Sequence, residues 1–115
     1  DLFVAVYHRN HLPVLSATAL QQSGGIYSWD FTDDVSKALG GNEALKLLAT
    51  NNYGLIAGDM NADGSINNND RLTIWVSKAG EAGYLPSDCN LDSKSGNRDK
   101  NDFWVSNYGK FSQLP

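Results

Sequence analysis

The chain has 115 residues, 41% of them hydrophobic, and nine basic against thirteen acidic side chains give a formal net charge of −4. That length suits one domain or two small ones around a modest core, and the acidic balance argues against a nucleic-acid partner. No apolar run approaches the ~18 residues of a membrane span, and Cys89, the single cysteine, excludes an internal disulfide.

The chain begins at Asp1 rather than Met and reads as a mature or excised segment of something longer. Residues 2–9 alternate as a strand, and because Leu2, Val4 and Val6 oppose Phe3, Ala5 and Tyr7, both faces are apolar. This predicts a central strand or one covered on both sides. Turn character at Asn10 then makes residues 12–20, with Pro13 near their start, the return arm of a hairpin. His8 and His11, three apart, would face opposite ways on a strand, so we read them as turn and edge residues rather than a metal pair.

Residues 21–25 read as a loop and residues 26–32 as a third strand, with Tyr27, Trp29 and Phe31 on one face. Such a row most often builds a core; a sugar-stacking platform is the alternative. Residues 33–41 are a helical turn or a polar loop. Residues 43–49 form a short helix by propensity, with a strand as the nearly equal alternative, and residues 53–57 are a short apolar segment. The last residues, 111–115, have the look of a chain end with little structure.

Residues 59–70 carry the most specific signal. Asp59, Asn61, Asp63, Asn67 and Asp70 place oxygen-bearing side chains at loop positions 1, 3, 5, 9 and 12, with Gly64 at position 6. A hard cation needs six or more oxygens converging on one point, and a central Gly permits the sharp turn that brings them together. The spacing is that of an EF-hand calcium loop, except that Asp70 replaces the usual Glu at position 12. A shift of 29 residues takes Asp59, Asn61, Asp63 and Asp70 onto Asp88, Asn90, Asp92 and Asp99, and Trp75, Val76, Ser77 and Gly80 onto Trp104, Val105, Ser106 and Gly109. Two loops in one register indicate an internal duplication of about 22 residues.

Each loop is followed by a helical pattern: Leu72, Trp75, Val76 and Ala79 on one face of the first, Trp104, Val105 and Tyr108 on that of the second. The two faces are expected to pack together about an approximate two-fold, with helix N-terminal amides helping to hold Asp70 and Asp99. The expected ligands are side-chain oxygens at positions 1, 3, 5 and 12, a backbone carbonyl at position 7 (Ser65, Lys94), and Asn67 or a water at position 9. The second loop departs from the pattern. Ser93 replaces the Gly at position 6 and Gly96 offers no side chain at position 9, so it is expected to bind more weakly or with help from Asp102. Cys89, at position 2 of that loop, is expected to point away from the metal as an inert small residue. Two bound divalent cations would cancel the formal charge excess.

Residues 59–80 and 88–109 resemble the two calcium-loop-plus-helix repeats of a dockerin, a family in which Asp at position 12 is usual. The resemblance implies two Ca2+ sites, a cohesin-like protein partner, and a place at the end of a secreted or surface bacterial protein such as a carbohydrate-active enzyme. Dockerins recognise partners through residues just after each loop; here those are Arg71-Leu72 and Lys100-Asn101 rather than the usual hydroxylated pair. The first half, with His8-Arg9-Asn10-His11 and Tyr53-Gly54-Leu55, is similar to C-terminal segments of secreted or adhesin-like proteins of Bacteroidetes-like bacteria. The fold class expected is α+β, a β-rich subdomain of residues 1–56 packed on a dockerin-like calcium-binding subdomain of residues 57–115. No catalytic constellation emerges, so we expect a module outside the cell or at its surface and not an enzyme. Its partner would be a protein or a neighbouring domain, with carbohydrate as a further ligand.

Overall fold

Short paired strands open the chain. In the computed structural model, which describes residues 1–115 throughout, β1 (Ala5–His8) and β2 (His11–Leu15) form one two-stranded sheet, β3 (Gln22–Ser23) and β4 (Ile26–Tyr27) a second, and β5 (Leu45–Ala49) and β6 (Asn52–Leu55) a third. Two short helices follow, so the architecture is α+β. No helix is long and apolar enough to cross a membrane. The residues group into two units: Asp1–Tyr7, Pro13–Leu55 and Ser112–Pro115 in one, His8–Leu12 and Ile56–Phe111 in the other.

In the first unit β1 pairs only with β2 and stays largely exposed, Tyr7 at 73%. The doubly covered strand expected from its two apolar faces is therefore not formed, because a sheet of two strands offers β1 neither a second neighbour nor a layer over each face. β2 keeps the period of two, with Leu12 and Val14 buried between half-buried neighbours. The third strand expected over residues 26–32 ends at Tyr27. Gly24 and Gly25 both take positive φ (58° and 79°), the requirement of the two-residue turn that twists with its strands, so β3 and β4 close as a tight hairpin. The aromatic row is consequently broken up: Tyr27 is exposed, Trp29 donates Nε1–H to the Lys37 carbonyl at 3.1 Å, and Phe31 packs on the core of Val14, Ala38, Ala44 and Leu45.

The helix-or-strand ambiguity at residues 43–49 resolves to strand. β5 pairs antiparallel with β6, Leu45 opposite Leu55 and Leu47 opposite Tyr53, and Leu45 enters the core. Residues 33–41 form a tight turn over Val35–Lys37, capped by Asp34, whose Oδ1 accepts from the Ser36 amide at 2.8 Å. The end of the chain carries little regular structure, as expected: residues 112–115 form no helix or strand, though the segment is held at two points. Phe111 bridges to Ser65 within the second unit. Gln113 lies so close to Gly40 within the first that a Cβ there would come within 2.5 Å of its side chain.

In the second unit, the helices of residues 70–78 and 99–107 are wound wider than α over Asp70–Trp75 and Asp99–Trp104 before closing as short α turns. The Val76 amide bonds the Arg71 carbonyl and the Val105 amide that of Lys100, five residues back instead of four. The wider turn changes which side chains share a face. Asp70, Ile74 and Trp75 turn inward, as do Asp99, Phe103, Trp104 and Asn107, whereas Leu72, Val76, Val105 and Tyr108 are more than half exposed. The face expected from a period of 3.6 is thus corrected: of its members only Trp75 and Trp104 pack inward.

The repeats complete each other by exchange. Trp75 Nε1–H donates to the Gly96 carbonyl of the second loop at 2.9 Å, and Trp104 Nε1–H to the equivalent Asn67 carbonyl of the first at 2.8 Å. Ile66 exchanges backbone bonds with Gly109 and Lys110, and Ser95 with the equivalent Gly80 and Glu81. Lys100 lies over the Trp75 ring and Arg71 over that of Trp104. Each loop is therefore closed by the helix, and by the chain after it, of the other repeat. Leu12, Ile56 and Ile66 pack under Trp104, and Ala57, Met60 and Cys89 pack with Ile74, Trp75, Phe103 and Trp104.

If the exchanged bonds hold the loops, Trp104→Phe, which keeps the ring packing and loses the donor, should cost about 1 kcal/mol. Ile66→Ala, which empties core volume, should cost about 2–5 kcal/mol. Urea unfolding of both variants measures the two, and a silent Trp104→Phe would remove the bond from the account.

Candidate metal centre

The first loop folds around its own carboxylates. Ala62 and Gly64 both adopt left-handed backbone (φ 57° and 86°), which turns successive amides inward. Asp59 Oδ1 accepts from the Asp63 amide at 3.0 Å and its Oδ2 from the Gly64 amide at 2.9 Å. Asp70 Oδ1 accepts from the Asn61 amide at 3.1 Å and its Oδ2 from the Asn67 amide at 2.8 Å. The amides that hold Asp70 are thus loop amides and not the helix N-terminal amides expected. Oxygens of Asp59, Asp63 and Asp70 all lie within 4.8 Å of one another, a group that could hold a metal ion. Asn61 Nδ2 donates to Asp63 Oδ2 at 3.1 Å, and Asn67 turns its Oδ1 to the Asn69 amide at 2.9 Å.

Ionisation of Asp59 and Asp70 is disfavoured here. Two charge-assisted amide bonds contribute about 1.5–3 kcal/mol each to a carboxylate. Two unit charges ~5 Å apart at an effective dielectric constant of ~20 repel by on the order of 3 kcal/mol, and burial adds a desolvation cost. The cost wins. Burial first, then the charges of Asp70 and Asp63, push the Asp59 carboxyl up to about 6 against the pull of its amides. Asp70 is also raised, by burial and by Asp63. Donors that are all oxygen and largely anionic suit a hard cation, so the residues present fit such an ion.

The second loop repeats the four amide-to-carboxylate bonds. Asp88 accepts from the Asp92 and Ser93 amides at 3.1 and 2.8 Å, and Asp99 from the Asn90 and Gly96 amides at 3.1 and 2.7 Å. Lys94, at position 7, bridges to Ala82 as Ser65 does to Phe111. Two substitutions set this copy apart. Ser93 adopts φ 72° where Gly64 adopts it freely, at a cost of about 1–2 kcal/mol. Ser95 takes the place of the core residue Ile66, and its Oγ is buried without a hydrogen-bond partner. Asp102 is exposed on the second helix. Cys89 is buried, and burial followed by the nearby Asp99 and Asp88 charges pushes its thiol up to about 12, an inert state at neutral pH.

One contributor could not be foreseen from spacing. Asn10, fully buried at the hairpin tip, accepts the Gly58 amide at 2.9 Å and donates Nδ2–H to the Asp88 carbonyl at 2.8 Å, so one residue ties down the entry to both loops. No sequence pattern links position 10 to position 88. The turn also brings His8 and His11 together, edge to face with ring centroids 4.4 Å apart. Burial, then the charges of His8 and Arg9, lower the His11 pKa to about 4, so its ring is neutral at ordinary pH.

Compared with models of protein families, with curated protein sequences and with solved structures, the chain gives no match.

Because Asp59 binds its proton more tightly folded than unfolded, the metal-free chain should lose stability as pH rises from about 4 through about 6. His11, lowered from 6.5 to about 4, acts oppositely over the same range, since its share is lost as pH falls. The difference between calcium and chelator cancels His11 and isolates the loops. That difference in melting temperature should grow between about pH 4.5 and pH 7, because a cation needs the deprotonated carboxylates. A difference independent of pH would contradict the assignment.

Proposed function

We propose that this chain is a calcium-binding, dockerin-like interaction or anchoring module, not an enzyme, belonging to a protein that works outside the cell or at its surface. The observation that carries the reading is the convergence of the Asp59, Asp63 and Asp70 oxygens within 4.8 Å, on a loop whose spacing matches a calcium loop. Calcium would be held by Asp59, Asn61, Asp63, Ser65, Asn67 and Asp70 in the first site. Asp88, Asn90, Asp92, Lys94 and Asp99 would hold it in a second, weaker one. What the ion supplies is charge: a doubly positive centre turns the repulsion among these groups into attraction. Weak sites of this kind fill where calcium is plentiful, which favours the extracellular setting.

The partner would be a protein. Leu72, Val76, Val105 and Tyr108 are each 52–56% exposed on the helices, and calcium would orient those helices by fixing the loop that begins each. Arg71 and Lys100 lie over Trp104 and Trp75, so these side chains already have places within the unit. That argues for a partner other than a standard cohesin, with a neighbouring domain as the alternative.

A second reading concerns the first unit. Gln21, Ser28, Trp29, Asp30 and Lys37 line a surface recess of about 430 Å³, where an indole beside mixed donors and acceptors suits a sugar ring. Trp29→Ala should then lose glycan retention on an array while the calcium response is kept; equal retention would discard this reading.

For the principal reading, calcium at ~100 times the dissociation constant should add about 2.7 kcal/mol of stability per site. Asp59→Ala should remove most of the first site's share and Asp88→Ala less. Equal losses in a calcium melting series would contradict the order of the sites, and identical melting in calcium and in chelator would end the proposal. Pull-down of protein partners with and without chelator separates an interaction module from a calcium-stabilised cap.

A further inference from the structure

The second loop already has a cation beside it, and that cation belongs to the chain. Arg9, in the hairpin turn, places Nη2 4.0 Å from Oδ2 of Asp88, the carboxylate at position 1, which is only 2% exposed. The guanidinium is held in place from two sides. Nε–H donates to the Leu85 carbonyl at 3.2 Å, and the group lies 3.9 Å from the centre of the Tyr84 ring. The adjoining Asn10 fixes the Asp88 backbone through its carbonyl. At the first loop the charges that act on the position-1 carboxylate, Asp59, are those of Asp70 and Asp63 and not a guanidinium; two further ion pairs, Lys37–Asp33 and Lys78–Glu81, lie elsewhere.

We propose that Arg9 is a built-in counter-ion of the second loop. It offsets the position-1 carboxylate when no metal is present, and a divalent cation entering that loop has to work against it. The proposal rests on the calcium reading above and names what sets the difference between the two sites. A fixed positive charge repels an incoming doubly positive one across a few ångströms of partly buried space. Arginine does not deprotonate in proteins, so only displacement of the side chain or added salt relieves the repulsion. The first loop is then the one that depends on calcium for its compaction. The second stays formed at low calcium and fills only when the ion is abundant, so the chain would read two calcium ranges with two copies of one sequence unit.

The test is a calcium titration followed by calorimetry in a background of Asp63→Ala, an exposed ligand whose loss disables the first site. In that background Arg9→Gln should bind calcium about tenfold more tightly, equivalent to about 1.4 kcal/mol. Arg9→Lys, which keeps the charge, should stay nearer the parent. Tyr84→Ala alters a side chain 82% exposed, loosens the guanidinium without touching the hairpin, and should move affinity the same way by a smaller factor. In chelator Arg9→Gln should melt lower than the parent, and Cys89, buried in the same loop, should react faster with a thiol reagent. If the unsubstituted chain binds two calcium ions while Arg9→Gln and Tyr84→Ala leave the second affinity unchanged or weaker, Arg9 is not the counter-ion and the calcium reading stands. If the unsubstituted chain takes up no calcium, the calcium reading fails and this proposal falls with it.

Discussion

Asp59 and Asp70 are buried side by side, and their mutual repulsion is the constraint around which the second unit is organised. The same loop shape could be filled with apolar or neutral side chains at lower cost. Instead the chain spends four inward-facing amides, from Asn61, Asp63, Gly64 and Asn67, on holding two negative groups together. Buried charges persist in proteins where they are paired or coordinate a metal. The charges nearest Asp59 are those of Asp70 and Asp63, of its own sign, and the oxygens of the three form a group that could hold a metal ion.

Duplication supplies the frame for that loop. A helix of two to three turns is too short to be stable alone, and part of each loop's backbone finds its partners only in the other repeat. Exchange solves both problems at once: Trp104 reaches the first loop and Trp75 the second, while the segments after each helix pair with the loop of the other repeat. A disturbance of one loop is therefore felt at the helix of its twin.

The copies have diverged in a consistent direction. Ser93 and Ser95 replace Gly64 and Ile66, exchanging a relaxed turn and a core side chain for backbone strain and an unpartnered hydroxyl. What the second loop lost within the repeat it regains from outside it, through Asn10 at its backbone and Arg9 at its first carboxylate. The hairpin tip, His8–Leu12, accordingly groups with residues 56–111, which include both loops.

The tight turns of the two loops were legible from spacing, because each buried carboxylate finds its amides within nine residues along the chain. The duplication was legible for the same reason, as were the hairpin at Asn10 and the inert Cys89. What spacing could not reveal depends on partners distant in sequence. β1 has two apolar faces, yet how many neighbours a strand acquires is settled by the rest of the sheet. Residues 43–49 have helical propensity, but pairing with Asn52–Leu55 overrides it. The helix faces were misread at Leu72, Val76, Val105 and Tyr108 because a fixed period of 3.6 assumes an α turn, and the turns after both loops are wider. The Gly24-Gly25 pair was a turn signal that could have been read as a tight hairpin. The reach of Arg9 and Asn10 to Asp88 had no such signal: their side chains meet that loop across nearly 80 positions of chain, a proximity that only the folded backbone creates.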